Sequence, residues 1–311
     1  MAGRSLTGML TYLGSGPYCY TNSLAMALGE HAPPVAVIET LTGAAFGAQL
    51  TGGDTPYFDP YAWDPEIGLD AAMQALGWTC ARTTGGTADE ALARLRAAEG
   101  PVLAGPLDMG LLTYSPDGLS ADHYVVVLAV DDDTVLLHDP EGFPYATLPV
   151  ADFLKSWQGD SVSYEPDGFV MRTTFTRVRE VPFMDALRDS LPGAARWLAG
   201  RTDLPVPPGT LGGAEAVYAL ADLVEAGLPP DTRGLLTGFA VRVGVHRLSD
   251  ASACLALLGL PEAAAVARDQ ARLLGAVQYP LTTGDDPAAA RALRGLAPTY
   301  ARLLAELEAG R

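Results

Sequence analysis

Cys19 is the residue of this chain best suited by position to nucleophilic chemistry. It directly precedes a run of apolar and small residues, 21–29, that predicts a helix. Its thiol would then lie at the positive end of the helix dipole, which favours the nucleophilic thiolate. The backbone N–H groups of the first turn could stabilise an oxyanion on an acyl group bonded to the sulfur. The competing interpretation is a buried cysteine that only packs in the core.

A cysteine nucleophile needs a base, and His123 is the best placed of four histidines. It opens a β-branched run, 123–130, that predicts a buried strand, followed by a turn of three aspartates and a return strand ending at His138 and Asp139. Because side chains alternate along a strand, only one of these last two can face His123. We choose Asp139, whose carboxylate would hold the imidazole in one tautomer. A hydrophobic hairpin with polar ends is the alternative.

The other two cysteines, Cys80 and Cys254, lie among apolar residues and are interpreted as packing residues. No pair of cysteines has the spacing of a zinc site, and neither an HExxH nor a CxxC motif occurs. The sequence therefore predicts no metal site and no resident cofactor.

Helix and strand signals alternate up to about residue 178, and only helical spacing follows. In the first half, Thr87 and Glu90 have the spacing of a capping box. The later predicted helices cover residues 183–198, 212–226, 231–258, 262–278 and 287–308. We therefore predict an α+β fold: a domain with an antiparallel sheet over residues 1–178, then an all-α helical bundle over residues 179–311.

Charge and hydropathy exclude some functions. With 20 basic and 37 acidic residues, the net charge of −17 argues against nucleic-acid binding. Residues 1–178 carry 7 basic and 22 acidic side chains, and residues 179–311 carry 13 and 15, so the first half would attract a cationic small molecule. No apolar run is long enough to span a membrane, and no secretory signal is evident at the start, so we expect a cytoplasmic protein without a membrane partner.

The order of these motifs resembles the papain-like cysteine fold. Cys19 at a helix start, His123 at the head of a Tyr-Val-Val-Val-Leu strand, and Asp139 before a proline are similar to the bacteriocin-processing, double-glycine peptidases. The chain is closer to the butirosin biosynthesis protein H-like acyltransferases, which also have a segment like residues 41–47, an aspartate near Asp108 and a helical C-terminal region. The resemblance covers residues 10–178 in the order of motifs, and the rest only in general character.

The resemblance implies a papain-like domain with Cys19, His123 and Asp139 as catalytic residues. It also implies an acyltransferase of bacterial antibiotic biosynthesis that moves an acyl or aminoacyl group through a Cys19 acyl-enzyme onto an amine. The donor would be an acyl carrier protein or a small thioester, with phosphopantetheine carrying the acyl group as part of the substrate. The acceptor would be a small-molecule amine, cationic acceptors included. A papain-like hydrolase or peptidase and a non-catalytic binding protein are the alternatives.

The chain departs from the peptidase pattern at the oxyanion hole. Papain-like peptidases place a glutamine six residues before the cysteine, where this chain has Leu13. The Cys19 backbone N–H must then act with a side chain, for which Asn22, Tyr12 and Ser15 are the candidates. Substrate contacts are predicted for Tyr18, Tyr20 and Tyr114, in an acyl pocket, and for Asp108, with the acceptor amine. Packing by the tyrosines and turn capping by Asp108 are the alternatives.

Overall fold

The protein has an α+β fold with antiparallel sheets and a helical C-terminal region, which confirms the predicted fold class. The computed structural model describes residues 18–115, 121–201 and 203–310. In this part of the chain, no helix is long and apolar enough to cross a bilayer. The chain divides into two compact units, which we call the sheet unit (residues 18–35 and 77–180) and the helical unit (residues 36–76 and 181–310).

The elements are as follows. The strands are β1 (Gln49–Thr51), β2 (Thr55–Tyr57), β3 (Trp78–Thr83), β4 (Val102–Asp108), β5 (Asp122–Val130), β6 (Thr134–Asp139), β7 (Phe143–Pro149), β8 (Met171–Arg177) and β9 (Leu211–Gly212). The α-helices are α1 (Cys19–Leu28), α2 (Val35–Thr42), α3 (Pro65–Leu76), α4 (Ala88–Ala97), α5 (Val150–Trp157), α6 (Phe183–Leu198), α7 (Gly213–Ala226), α8 (Pro230–Leu235), α9 (Val241–Leu257), α10 (Pro261–Gly275), α11 (Gln278–Thr283), α12 (Asp286–Leu296) and α13 (Thr299–Ala309).

The sheet unit is built on a six-stranded antiparallel sheet in the order β3-β8-β4-β5-β6-β7. The predicted hairpin of β5 and β6 lies near its middle. The turn is fixed by Asp131, whose carboxylate accepts hydrogen bonds from the backbone N–H groups of Asp133 and Thr134 at 2.9 and 2.6 Å. This turn sets the register that brings the far ends of the two strands together.

Strand β5 is buried on both faces, as its β-branched sequence predicts. Val126 and Leu128 pack against Met26 of α1, whereas Val125 and Val127 belong to the core on the other face. The Ser23 hydroxyl of α1 donates to the backbone carbonyl of Tyr124 at 3.2 Å. Helix α1 is thereby held against the start of β5.

The helical unit has a core made mainly of leucine, valine and alanine side chains from α7 to α13, with Phe58 packed among them. It also contains a small sheet in the order β2-β1-β9, which the sequence did not predict after residue 179. Two predicted helices are interrupted. The run 231–258 contains a π-helical turn, Leu236–Ala240, and the run 287–308 forms two helices, whereas the run 262–278 corresponds to α10 with a turn at its end.

The predicted first domain, residues 1–178, does not coincide with either compact unit. Residues 36–76 belong to the helical unit, because β1 pairs with β9 and α3 packs against α6. Arg247 of α9 also donates to two carboxylates of this segment, Glu39 Oε1 at 2.9 Å and Asp59 Oδ2 at 3.0 Å. These partners are more than 180 residues apart in the chain, so local sequence patterns could not reveal them.

The predicted difference in net charge between the two halves of the chain disappears when the charges are counted by compact unit. Residues 1–35 and 77–180 carry 8 basic and 17 acidic side chains, a net charge of −9. Residues 36–76 and 181–311 carry 12 and 20, a net charge of −8. Attraction of a cationic ligand to the sheet unit must therefore come from individual carboxylates at the site, since the two units are almost equally acidic.

Candidate active site

Cys19, His123 and Asp139 meet in the sheet unit, at the end of the hairpin opposite its turn. Cys19 is the first residue of α1, His123 is the second of β5, and Asp139 is the last of β6. His123 Nε2 lies 2.8 Å from Asp139 Oδ1, and both side chains are buried. The Cys19 thiol is hydrogen-bonded to the same ring. Because Asp139 binds Nε2, the ring nitrogen that faces the thiol is Nδ1. The three groups form a nucleophile–base–carboxylate chain.

His138 points away from this chain, as strand alternation predicts. Its Nδ1 accepts a hydrogen bond from the Tyr145 backbone N–H at 3.1 Å, and its ring packs edge-on against the Tyr145 ring. His138 is therefore in contact with β7, whereas Asp139 is in contact with His123.

Two further groups hold the Asp139 carboxylate. The backbone N–H of Glu141 donates to Oδ1 at 2.8 Å, and the Tyr114 hydroxyl donates to Oδ2 at 2.8 Å. The sequence suggested Tyr114 for an acyl pocket but not for this hydrogen bond, because Tyr114 lies in a loop without periodicity and 25 positions before its partner. The carboxylate is thus fixed on both oxygens, which orients the imidazole in turn.

The hydrogen bonds and charges within the pair oppose the effect of burial. Burial raises the pKa of Asp139, but the hydrogen bond and charge of His123, with the Glu141 and Tyr114 donors, bring that pKa below its ordinary value. Burial lowers the pKa of His123, but its hydrogen bonds to Asp139 and Cys19 and their charges bring it well above 6.5. These shifts favour a carboxylate beside an imidazolium, which is the charge state the pair reaches when His123 takes a proton.

The Cys19 thiol does not have the lowered pKa that its place at a helix start predicts. Burial raises the pKa of the thiol above its ordinary value, and this outweighs the lowering by His123 and by the Tyr124 backbone N–H. The nearby charge of Asp122 also raises it. Cys19 is only 8% exposed, so desolvation is the physical reason why the pKa of its thiol is raised and not lowered. The raised pKa keeps the proton on the thiol at rest, and reaction must generate the thiolate by passing that proton to His123.

One predicted oxyanion donor, Asn22, remains well placed. Asn22 lies one turn after Cys19 on α1, on the same side of the helix. It is 7% exposed, and its side-chain amide has no hydrogen-bond partner among the described residues. The Cys19 backbone N–H, in the first turn of α1, likewise donates to no described group. Tyr12, Ser15 and Leu13 lie outside the described residues.

The other predicted binding residues have structural partners. Asp108 Oδ1 accepts from the Gly110 backbone N–H at 2.9 Å, and Oδ2 accepts from the Ser161 hydroxyl at 2.7 Å. This is the turn-capping alternative, and it is the role the structure gives Asp108. Tyr18 and Tyr20 are both buried, and Tyr20 packs edge-on against Tyr124 with ring centroids 6.1 Å apart. Their contacts support the packing alternative.

Replacing Asp139 with asparagine is expected to lower stability most between about pH 4 and 6.5. The raised pKa of His123 contributes stability that is complete below its unfolded value near 6.5 and is lost as pH rises through its folded value. The lowered pKa of Asp139 contributes stability that is complete above about 4 and is lost as pH falls. Melting temperatures measured from pH 3 to 9 would test this. An Asp139→Asn deficit that grows steadily toward pH 9 would contradict it.

The fold and the site together define an α+β protein with a buried Cys–His–Asp chain of hydrogen bonds. A family model described as the YobF C-terminal domain matches residues 207–308, within the helical unit. Over 165 residues the chain is 36% identical to "Uncharacterized protein YobF" of Bacillus subtilis (strain 168), covering 50% of this chain. The chain spans about half (53%) of the length of that curated relative. Neither name states an activity, so the chemistry must be argued from the site.

Proposed function

We propose that this protein is a cysteine-dependent acyltransferase that moves an acyl group from a thioester, through a Cys19 acyl-enzyme, onto an amine. The observation that carries the proposal is the hydrogen-bonded chain from the Cys19 thiol through His123 to Asp139, with 2.8 Å between the last two. The resemblance to the butirosin biosynthesis protein H-like family supports a papain-like fold, a phosphopantetheine-linked donor and a place in antibiotic biosynthesis. The three free cysteines agree with a cytoplasmic setting.

In the first half-reaction, the Cys19 sulfur attacks the thioester carbonyl and the thiol proton passes to His123. Asp139 is hydrogen-bonded to Nε2 of His123 and stabilises the imidazolium that forms. The oxyanion of the tetrahedral intermediate is stabilised by the Cys19 backbone N–H and the Asn22 amide. The intermediate then collapses, the C–S bond to the donor breaks, and the departing thiolate takes the proton from His123.

In the second half-reaction, a neutral amine attacks the acyl group on Cys19 and gives a proton to His123. The C–S bond to Cys19 then breaks, and the Cys19 thiolate regains that proton. The sum is one thioester bond broken and one amide bond formed. The low exposure of Cys19, His123 and Asp139 favours transfer over hydrolysis, because a site with little water preserves the acyl-enzyme until the amine arrives.

Mass spectrometry of the protein incubated with an acyl-N-acetylcysteamine thioester tests the proposal. We expect one acyl adduct, on Cys19, and an amide product when a primary amine is then supplied. Free acid formed at the same rate with and without amine would establish a hydrolase instead. No adduct with the thioester or with an acyl-loaded carrier protein would favour a non-catalytic binding protein and overturn the proposal.

Replacing Asn22 with alanine is expected to slow acylation of Cys19 by a thioester about 10²–10³-fold, the usual cost of losing one oxyanion donor. Alkylation of Cys19 by iodoacetamide passes through no oxyanion, so its rate should change by no more than about threefold. The two rates measured on one Asn22→Ala preparation give an internal control. Equal slowing of both reactions would show that Asn22 acts on the thiol or on the fold, and not on the oxyanion.

A further inference from the structure

Asp122 places a second carboxylate beside the candidate nucleophile. It is the first residue of β5 and directly precedes His123. The residue after His123, Tyr124, donates its backbone N–H to the Cys19 sulfur. The negative charge of Asp122 acts on the Cys19 thiol. Unlike Asp139, which is buried, Asp122 is partly exposed and can meet a ligand.

The Asp122 carboxylate is oriented by a tyrosine from outside the hairpin. The Tyr164 hydroxyl donates to Asp122 Oδ2 at 2.7 Å, and this hydroxyl lies 3.3 Å from that of Tyr124. Asp122 forms no ion pair with a described basic side chain, and its Oδ1 accepts no side-chain hydrogen bond from the described residues. One oxygen is therefore fixed in place, and the other is available.

A carboxylate in this position is a cost to a cysteine enzyme unless it binds something positive. It destabilises the thiolate that the first half-reaction must generate, and among the described residues His123 is the only cation that acts against it. A bound ammonium group would cancel the repulsion and add a charge-assisted hydrogen bond. The function of Asp122 is then expected in recognition of a substrate cation.

We propose that Asp122, held by Tyr164, binds an ammonium group of the acceptor, so that the preferred acceptors are amines with a second positive charge a few bonds from the reacting nitrogen. This rests on the proposed acyl transfer. The reacting nitrogen itself must be neutral to attack the acyl-enzyme, so the ammonium bound by Asp122 has to be a different group of the same molecule. Asp122 is thus assigned to specificity, and proton transfer is left to His123.

The test compares 1,3-diaminopropane with n-propylamine as acceptors for the Cys19 acyl-enzyme formed with the N-acetylcysteamine thioester. The two amines have the same chain length and differ in the second amino group. We expect the parent protein to prefer the diamine, as the ratio of kcat/KM, by at least about tenfold, mainly through KM. Asp122→Asn should reduce this ratio about tenfold, and Tyr164→Phe should reduce it in the same direction. Asp133→Asn, in the turn at the other end of β5, is the matched control and should keep the parent ratio.

A second readout does not depend on acyl transfer. Removing the charge of Asp122 should move the pH profile of Cys19 alkylation by iodoacetamide to lower pH, which loss of packing alone would not do. An acyl-enzyme that forms in the parent, with an acceptor ratio unaffected by Asp122→Asn, would overturn this inference alone. An alkylation profile that coincides with the parent profile would also overturn it. Absence of any acyl-enzyme in the parent would instead overturn the proposed function.

Discussion

Replacing Cys19 with serine is expected to reduce acyl transfer from a thioester by at least about 10³-fold. A hydroxyl is a much weaker nucleophile than a thiolate in this arrangement, and removal of the nucleophile from a triad costs up to about 10⁶-fold in comparable enzymes. Serine keeps nearly the volume of cysteine at a position that is only 8% exposed, so the fold should survive. The measurements are the acyl adduct by mass spectrometry and the rate of amide formation.

Cys80→Ser is the matched control for this substitution. Cys80 lies on β3 in the same unit, and its sulfur is 3.8 Å from the Arg172 guanidinium, a contact that a serine hydroxyl can also make. This variant should keep the adduct on Cys19 and its rate within about twofold. If Cys19→Ser retained a rate within tenfold of the parent, the nucleophilic role of Cys19 would be refuted, whatever the geometry of His123 and Asp139.

Replacing Arg247 with methionine is expected to destabilise the helical unit by about 3–5 kcal/mol, because two buried carboxylates would lose their cation. Glu39 is fully buried and Asp59 nearly so, and Arg247 itself is 4% exposed. The guanidinium also lies over the Trp63 ring, 5.2 Å from its centroid. At about 2–4 °C per kcal/mol for a domain of this size, the melting temperature should fall by roughly 6–20 °C. Thermal unfolding followed by calorimetry or circular dichroism measures it.

Arg294→Met provides the control, since Arg294 also bridges two carboxylates, Asp222 and Glu225, each at 2.7 Å. These groups lie at the surface, where water replaces the lost contacts, so the melting temperature should change by less than about 2 °C. Equal shifts for the two variants would mean that burial of the Arg247 cluster does not determine its contribution. Methionine is chosen at both positions because it keeps most of the length of the arginine stem.

Elements with a complete local signal were predictable from the sequence. The β5–β6 hairpin combines a β-branched run with an aspartate turn, and the helix after Thr87 has a capping box that the structure confirms, with the Glu90 carboxylate accepting from the Thr87 N–H at 2.8 Å. A helix break that falls within a continuous pattern of apolar spacing was not predicted. At Pro298 the missing N–H ends α12 two residues earlier, although the hydrophobic spacing continues beyond it.

Those residues of the candidate site that lie on elements with a complete local signal were also predictable. Cys19, His123 and Asp139 each lie at the end of an element with a clear local pattern, so the elements bring them together. The hydrogen bonds of Tyr114 and Asp122 were not predicted, since their partners lie 25 and 42 positions away in the chain. The pKa of Cys19 was predicted in the wrong direction, because a dipole can be inferred from a helix start whereas desolvation depends on the finished packing.

The division of residues 36–76 from their neighbours in the chain has a consequence for synthesis on the ribosome. This segment emerges long before β9 and α9. About 160 further residues must be synthesised before β1 can pair with β9, and about 200 before Glu39 can pair with Arg247. The helical unit can therefore close only near the end of translation, whereas β5 follows α1 by about 100 positions. A fragment that stops at residue 178 would retain β1 without β9 and two acidic groups without Arg247. Dissecting the protein requires removal of residues 36–76 as well.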